Sequence, residues 1–259
     1  MAVLLSRVKE VKEVELTGEE LAVDFLRQVK EILDKNNVEF WLDCGTLLGA
    51  VRDGKFISWD CKDIDLGAWD DSISENVKAN VFKAFCKAGF NVIYSPIYIG
   101  IIRGEIAIDF TFYHLDIDKA VRSYSPPKNL IGKLLGFLSI ALSHHYCNGI
   151  GFTHGQPFIK RLAKISLIKI SRILPSTLSK RLAEILLAVN KRVGLKKALW
   201  VIPSTYFQQL KTITFYEMTF KVPAKAEDYL AYRYGKDWRI PKKGWVTIRD
   251  DGTVIKPSE

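Results

Sequence analysis

The chain has 259 residues, is 48% hydrophobic and 12% aromatic, and carries a formal net charge of +9. That apolar content excludes an intrinsically disordered protein, and the length provides for one large domain or two small ones. The charge is uneven: from Lys160 to Lys197, eleven Lys or Arg (160, 161, 164, 169, 172, 180, 181, 191, 192, 196, 197) face one acid, Glu184, which is +10 and leaves the rest near neutral. A segment of this kind faces phosphates, whether of nucleic acid, anionic lipid or an acidic glycan carrier.

In chain order, "MAVLLSRVKEVKEVE" has only a short apolar run before charges interrupt it, so no signal peptide is expected. Thr17 and Glu20 form a capping box, and Leu21, Phe25, Val29, Ile32 and Leu33 recur at helical spacing, which predicts a helix over 18–36. "VEFWL" (Val38 to Leu42) reads as a strand ending at the Gly45-Thr46 turn, and "LLGAVR" as a short helix. "DIDLG" is a second strand with its aspartates on one face. Ser72 and Glu75 start a helix that Gly89 stops, and "NVIY", "IYIGIIR" and "EIAIDFTFY" read as three further strands. The first half is therefore a mixed α/β sheet.

Pro126-Pro127 marks a boundary, and the pattern to about Trp200 is helical, broken at Pro175. The apolar stretch Ile131 to Ser143 is too short to span a bilayer and reads as a buried helix, with an interfacial helix as the alternative. "TITFYEMTFKV" returns to a strand, and "KAEDYLAYRYG" to a helix ended by Gly235. The expected organisation is a catalytic core over 1–125, a basic helical region over 126–202, and a C-terminal strand and helix over 203–259 completing the catalytic domain. Cys44, Cys61, Cys86 and Cys147 are scattered without CxxC spacing, so neither a disulfide framework nor a zinc ribbon is expected, and a reducing cytoplasm is the simpler setting.

Asp63 and Asp65 sit two apart, so in a strand both carboxylates leave the same face. Such like charges are unfavourable unless a cation sits between them. Asp109 is a third carboxylate on a predicted strand, which a neighbouring position in the sheet would bring beside the pair. Three converging carboxylates suit one or two Mg²⁺ ions, which take oxygen ligands and share them with substrate phosphates. A glycine turn leading into a helix at Gly45 and Thr46 offers backbone N–H groups to a phosphate, and Arg52 can clamp a phosphate oxygen.

Strand, Gly-Thr, helix, then alternating Asp and a later strand Asp is the layout of the polymerase-β-type nucleotidyltransferase superfamily. More narrowly, "LDCGTLLGAVRDGKFISWDCKDIDLG" resembles the signature of the LicD and fukutin family, and "FKVPAKAEDYLAYRYGKDWRIP" is similar to its closing motif, with Pro223, Tyr229-Leu230 and Tyr234-Gly235 at matching places. The resemblance implies a nucleotidyltransferase-like fold with a basic helical insertion, and a transferase that moves phosphocholine or a polyol phosphate from a CDP-linked donor to a sugar hydroxyl of a surface glycan, releasing CMP. By match, Asp63, Asp65 and Asp109 would hold Mg²⁺ or Mn²⁺, and Gly45, Thr46 and Arg52 would cradle phosphate. Asp109 is the candidate base by analogy with the superfamily. Two departures stand out: Ser58 replaces a usual proline, and Cys61-Lys62 sets the aspartate pair one residue further from Trp59, which would carry Asp60 away from the metal. Lys62 resembles the fukutin branch and is a candidate donor-phosphate contact or a solvated cation.

His144, His145, Cys147 and His154 fit no standard zinc spacing. Tyr94, Tyr98, Trp200, Tyr206, Phe207 and Trp238 are candidates for a quaternary-ammonium cage, with core packing favoured for each. The segment from Lys160 to Lys197 suits helices lying on an anionic membrane or lipid-linked glycan at its inner face, or a solvated basic surface. The competing functional reading is a nucleotidyltransferase acting on RNA, with the basic helices holding nucleic acid.

Overall fold

The computed structural model describes residues 17–95, 97–124, 127–143, 146–148, 173–195 and 198–255. Helix α1 (Gly18–Lys35) carries the expected capping box, with Thr17 and Glu20 each satisfying the other's backbone N–H, and buries Ala22, Phe25, Leu26, Val29 and Leu33. Strand β1 (Trp41–Leu42), helix α2 (Cys44–Arg52) and strand β2 (Asp63–Trp69) follow. Helix α3 (Glu75–Lys87) is capped by Ser74, not Ser72, whose hydroxyl instead donates to the Trp69 carbonyl. Strands β3 (Asn91–Ser95), β4 (Tyr98–Arg103) and β5 (Ile106–Asp116) stand where expected.

β5 organises the sheet. Its first part pairs in parallel with β2 on one side and antiparallel with β4 on the other. Its last residues, His114 to Asp116, turn to a third partner, β6 (Lys119–Tyr124). Beyond β6 lie β8 (Ala198–Pro203) and β11 (Val254–Ile255); beyond β2 lie β1, β10 (Met218–Pro223) and β9 (Leu210–Phe215). The architecture is a mixed α/β sheet with flanking helices. One core joins α1 and α3 to the strands and to helix α6 (Ala226–Tyr234), with Phe25, Phe85, Trp41, Ile64, Phe110 and Leu230 all buried.

Several expectations are corrected here. "TITFYEMTFKV" is a hairpin of β9 and β10, not one strand, because Tyr216 and Glu217 both take positive φ (48° and 62°) and reverse the chain. Ala198 to Pro203, read as the end of the helical region, is a strand that pairs with β6. Between β6 and β8 the chain runs through α4 (Leu130–Ser143), the short β7 (Tyr146–Cys147), which pairs with β3, and α5 (Ser176–Val193), and Pro127 bridges Leu195. Helix α4 is not a buried helix: only Gly132, Ser139 and Ala141 are buried. Cys86 and Cys147 form a disulfide across 61 residues, tying α3 to β7. Wide spacing hid the pair, and with it falls the sequence argument for a reducing compartment. Among the described residues no helix is long and apolar enough to cross a membrane.

Candidate active site

The parallel pairing of β2 with β5 puts Asp65 directly opposite Asp109, with Asp63 opposite Ala107. On the other side of Asp109 the facing residue of β4 is Gly100, which leaves its carboxylate room. Burial, then the charges of Asp63 and Asp109, lift the Asp65 carboxyl well above the usual range. Burial and the Asp63 charge push Asp109 up to about 6, against a smaller opposing pull from Arg122. Asp63 itself is exposed at the start of the strand. The carboxylates are neighbours without closing into a ready-made cage: among the described residues, only Asp70, Asp71 and His114 bring one ligand atom each within 4.8 Å of one another. That trio sits at the surface, and Asp70 there is also ion-paired with Lys78.

Helix α2 is built to hold Asp65. Asp43 caps it, and Cys44 takes φ 44°, a left-handed conformation costly for a residue with a side chain. The turn aims Gly45 N–H at Asp65 Oδ2 (3.2 Å), while Thr46 Oγ1 accepts the Asp65 backbone N–H (2.9 Å). In this structure, then, both residues of the Gly-Thr pair serve Asp65. Asp60 also arrives: a Cβ on Gly45 would lie 3.2 Å from Asp60 Oδ2 and 3.7 Å from Asp65 Oδ2. Asp60 thus lies beside Gly45 and near Asp65 despite the longer Trp59-to-Asp63 spacing. The turns between Trp59 and Asp63 take up the additional residue, with Asp63 N–H bonded to the Asp60 carbonyl.

A pocket opens over this floor. Asp60, Asp63, Asp65 and Gly45 line one side, Trp59, Tyr234 and Trp245 form aromatic walls, and Arg52, Arg233 and Lys242 supply positive charge. Sequence reasoning missed Arg233 and Asp43. Asp43 is buried and accepts from Cys44 N–H (2.8 Å), Tyr113 Oη (2.6 Å) and Tyr229 Oη (2.8 Å). Arg233, also buried, donates to Tyr229 Oη (2.9 Å), lies 2.7 Å from Asp251 and 3.9 Å from Asp43, and stacks on Trp200. The polar residue Asp43 between "VEFWL" and Gly-Thr was the available signal, but its partners lie far along the chain.

The remaining candidates divide. Arg52 lines the pocket, yet its guanidinium is held by Asp53 through Nε (2.9 Å) and Nη2 (2.7 Å). Lys62 pairs with Glu105 at the surface. Of the proposed cage aromatics, Trp200 and Trp238 line the pocket, Tyr98 lies beside Asp109, Phe207 is core, stacked on Trp41, and Tyr94 donates to Glu75. Tyr206 packs against Tyr229 and Tyr232. Cys147 is spent on the disulfide, and His144, His145 and His154 lie outside the described residues, as do Lys160, Arg161, Lys164, Lys169, Arg172, Lys196 and Lys197.

Residues 37–95, from just before β1 to the end of β3, match the family model described as LicD/FKTN/FKRP, nucleotidyltransferase domain. This segment is similar to the LicD/fukutin family. It contains Gly45, Thr46, Arg52, Asp60, Asp63 and Asp65 and ends before Asp109. An uncharacterized protein of Rickettsia typhi is 33% identical over 96 residues, covering 37% of this chain and 29% of the relative. Another, from Rickettsia prowazekii, is 30% identical over 115 residues, covering 44% and 41%. The matched regions thus span less than half the length of these relatives. Among solved structures, the solution structure of the antibiotic-resistance factor ANT(2'')-Ia aligns at TM-score 0.32 with 14% identity, over 67% of this chain and 93% of that one. A crystal structure of ANT(2")-Ia in complex with adenylyl-2"-tobramycin aligns at TM-score 0.30 with 13% identity, over 65% and 98%.

Proposed function

We propose that the protein transfers a phospho-substituent, phosphocholine or a polyol phosphate, from a CDP-linked donor to a sugar hydroxyl of a cell-surface glycan and releases CMP. The observation that carries this reading is that Asp63 and Asp65 line a pocket that also presents Arg52, Arg233 and Lys242, with Asp109 in register beside Asp65 on the next strand. A cluster of carboxylates next to cationic groups suits a polyanionic donor only if a hard cation joins them. The donor set fits Mg²⁺ or Mn²⁺: oxygen ligands only, with carboxyls whose raised pKa reflects burial and mutual repulsion that a cation would relieve. Asp63, Asp65 and Asp109 would hold the ion, which when bound offsets negative charge on the pyrophosphate.

The chain's own residues do the rest. Gly45 and Thr46 fix the position of Asp65. Arg52, oriented by Asp53, meets donor phosphate, and Trp59 and Trp245 give flat surfaces for the donor's base. Asp109, in register beside Asp65, is the candidate to take the proton of the attacking hydroxyl. Most of the acceleration is then positioning and charge. The acceptor is a glycan or lipid-linked glycan, met at a membrane surface through the basic segment 160–197.

The test is to incubate the protein and Mg²⁺ with CDP-choline, CDP-ribitol, CDP-glycerol and the four NTPs. CMP release from a CDP compound, and none of pyrophosphate from the NTPs, is expected. Pyrophosphate release with nucleotide added to RNA would overturn the reading in favour of a nucleotidyltransferase.

A further inference from the structure

Helices α4 and α5 pack together through their small and polar residues and turn aliphatic ones outward. Ser139 Oγ donates to the Ala183 carbonyl (3.0 Å), Ser179 Oγ to that of Leu142 (2.8 Å), and Asn190 Nδ2 to that of Gly132 (3.0 Å). A Cβ on Gly132 would lie 2.0 Å from the Gly194 carbonyl oxygen, so only glycine lets the two backbones approach this closely. On the outer side, Leu130 is 78% exposed and Ile131 59%, joined by Leu134. On α5, Leu178, Leu182, Ile185 and Val189 are all exposed, spaced i, i+4, i+7 and i+11 as a single stripe.

For a helix pair in water this is inverted, since burying the aliphatic stripes would be the favourable arrangement. Contact through small residues, interhelical hydrogen bonds and outward aliphatic side chains is how helices pair in lipid. The charges agree. Across the two helices the exposed bases Lys133, Lys180, Arg181, Lys191 and Arg192 face a single acid, Glu184. The 14 residues of α4 are too few to cross a bilayer, so the hairpin lies in the interface.

We propose that the α4–α5 hairpin docks the protein on the surface of an anionic lipid bilayer, its aliphatic stripe at the acyl boundary and its bases among the headgroups. As the anchor of a transferase with a lipid-linked acceptor it rests on the function proposed above. Docking itself is measured without donor or acceptor, so the two readings fail separately. The full chain should sediment with vesicles of phosphatidylglycerol and phosphatidylcholine, less so with phosphatidylcholine alone. The triple variant Leu178→Gln, Leu182→Gln, Ile185→Gln should bind the anionic vesicles at least tenfold more weakly, while releasing CMP from the soluble donor at the wild-type rate. In the unmodified protein, a lipid-tail carbene probe should label residues 130–134 and 178–189, a readout that does not depend on the variant folding. Unchanged vesicle binding by a folded variant, or probe labelling elsewhere only, would overturn the proposal. So would a wild-type protein that ignores vesicles and forms a dimer the variant loses, since the stripe would then cover a second copy.

Discussion

Asp65 and Asp109 face each other in register on adjacent parallel strands, and both carboxyls are pushed toward protonation by burial and by neighbouring carboxylates. A carboxyl whose folded pKa is raised favours folding while it is protonated; that contribution is present in acid and lost as pH rises through the folded value, about 6 for Asp109. At pH 7.5, without metal, the charges therefore cost stability. Asp65→Asn and Asp109→Asn should raise the metal-free melting temperature by a few degrees or leave it level. Asp63→Asn, Asp65→Asn and Asp109→Asn should each abolish CMP release and the upward shift that Mg²⁺ gives the wild type. Near-normal turnover by any of the three in saturating Mg²⁺ removes that residue from the ligand set.

Asp43 ties α2, β5 and α6 together through Tyr113 and Tyr229. Asp43→Ala strands these hydroxyls and the nearby Arg233 charge, and should cost about 3–5 kcal/mol, as when one partner of a buried ion pair is removed. For a chain of this size that lowers the melting temperature by about 10 °C. Tyr113→Phe and Tyr229→Phe should cost about 1–3 kcal/mol each, since each removes one donor from a buried acceptor. Melting curves of the three variants check this, and an Asp43→Ala protein as stable as wild type would show that the hub is dispensable.

How much of this was legible follows from the range of the interactions. The α1 capping box and the aspartates of "DIDLG" depend on residues a few positions apart, and they stand where local pattern puts them. That Asp109 would reach a neighbouring strand was expected, because a lone acid in an apolar run needs a partner. Arg233 and Asp251 were invisible, since an arginine and an aspartate in a polar C-terminal stretch look solvated until the fold buries them. The turn at Tyr216 and Glu217 lacked the Gly or Asn that usually announces positive φ. Helix α4 is a different case: its apolar composition says that it favours leaving water, and only the fold shows that few of its residues are buried in protein.

The Cys86–Cys147 disulfide closes a loop of 61 residues. Chain entropy assigns such a cross-link about 4 kcal/mol, with about 2–4 typical of measured cases. Under non-reducing conditions Cys86→Ser should therefore melt about 5–15 °C lower than wild type, and dithiothreitol should bring wild type down to the variant. Wild type that melts identically with and without reductant, and whose thiols all react in the denatured state, would show that the bond does not form.

Arg52 is the sharpest test of how the donor is held. Its guanidinium is engaged by Asp53 through two nitrogens, and its side chain is 7% exposed, so it is already oriented where it lines the pocket. An arginine placed this way keeps its remaining donors for a phosphate, and a lysine, with one nitrogen, cannot hold Asp53 and phosphate in the same geometry. Arg52→Lys should raise the KM for the CDP donor about tenfold or more, equivalent to about 1.4 kcal/mol at 25 °C. Asp53→Asn tests the orientation separately: it should raise KM less than Arg52→Lys does and leave kcat nearly unchanged, because the cation remains and only its alignment loosens. If Arg52→Lys keeps the wild-type KM while both variants lose thermal stability equally, the Arg52–Asp53 pair is a structural tie at the end of α2, and donor phosphate must be met by Arg233 or Lys242 instead.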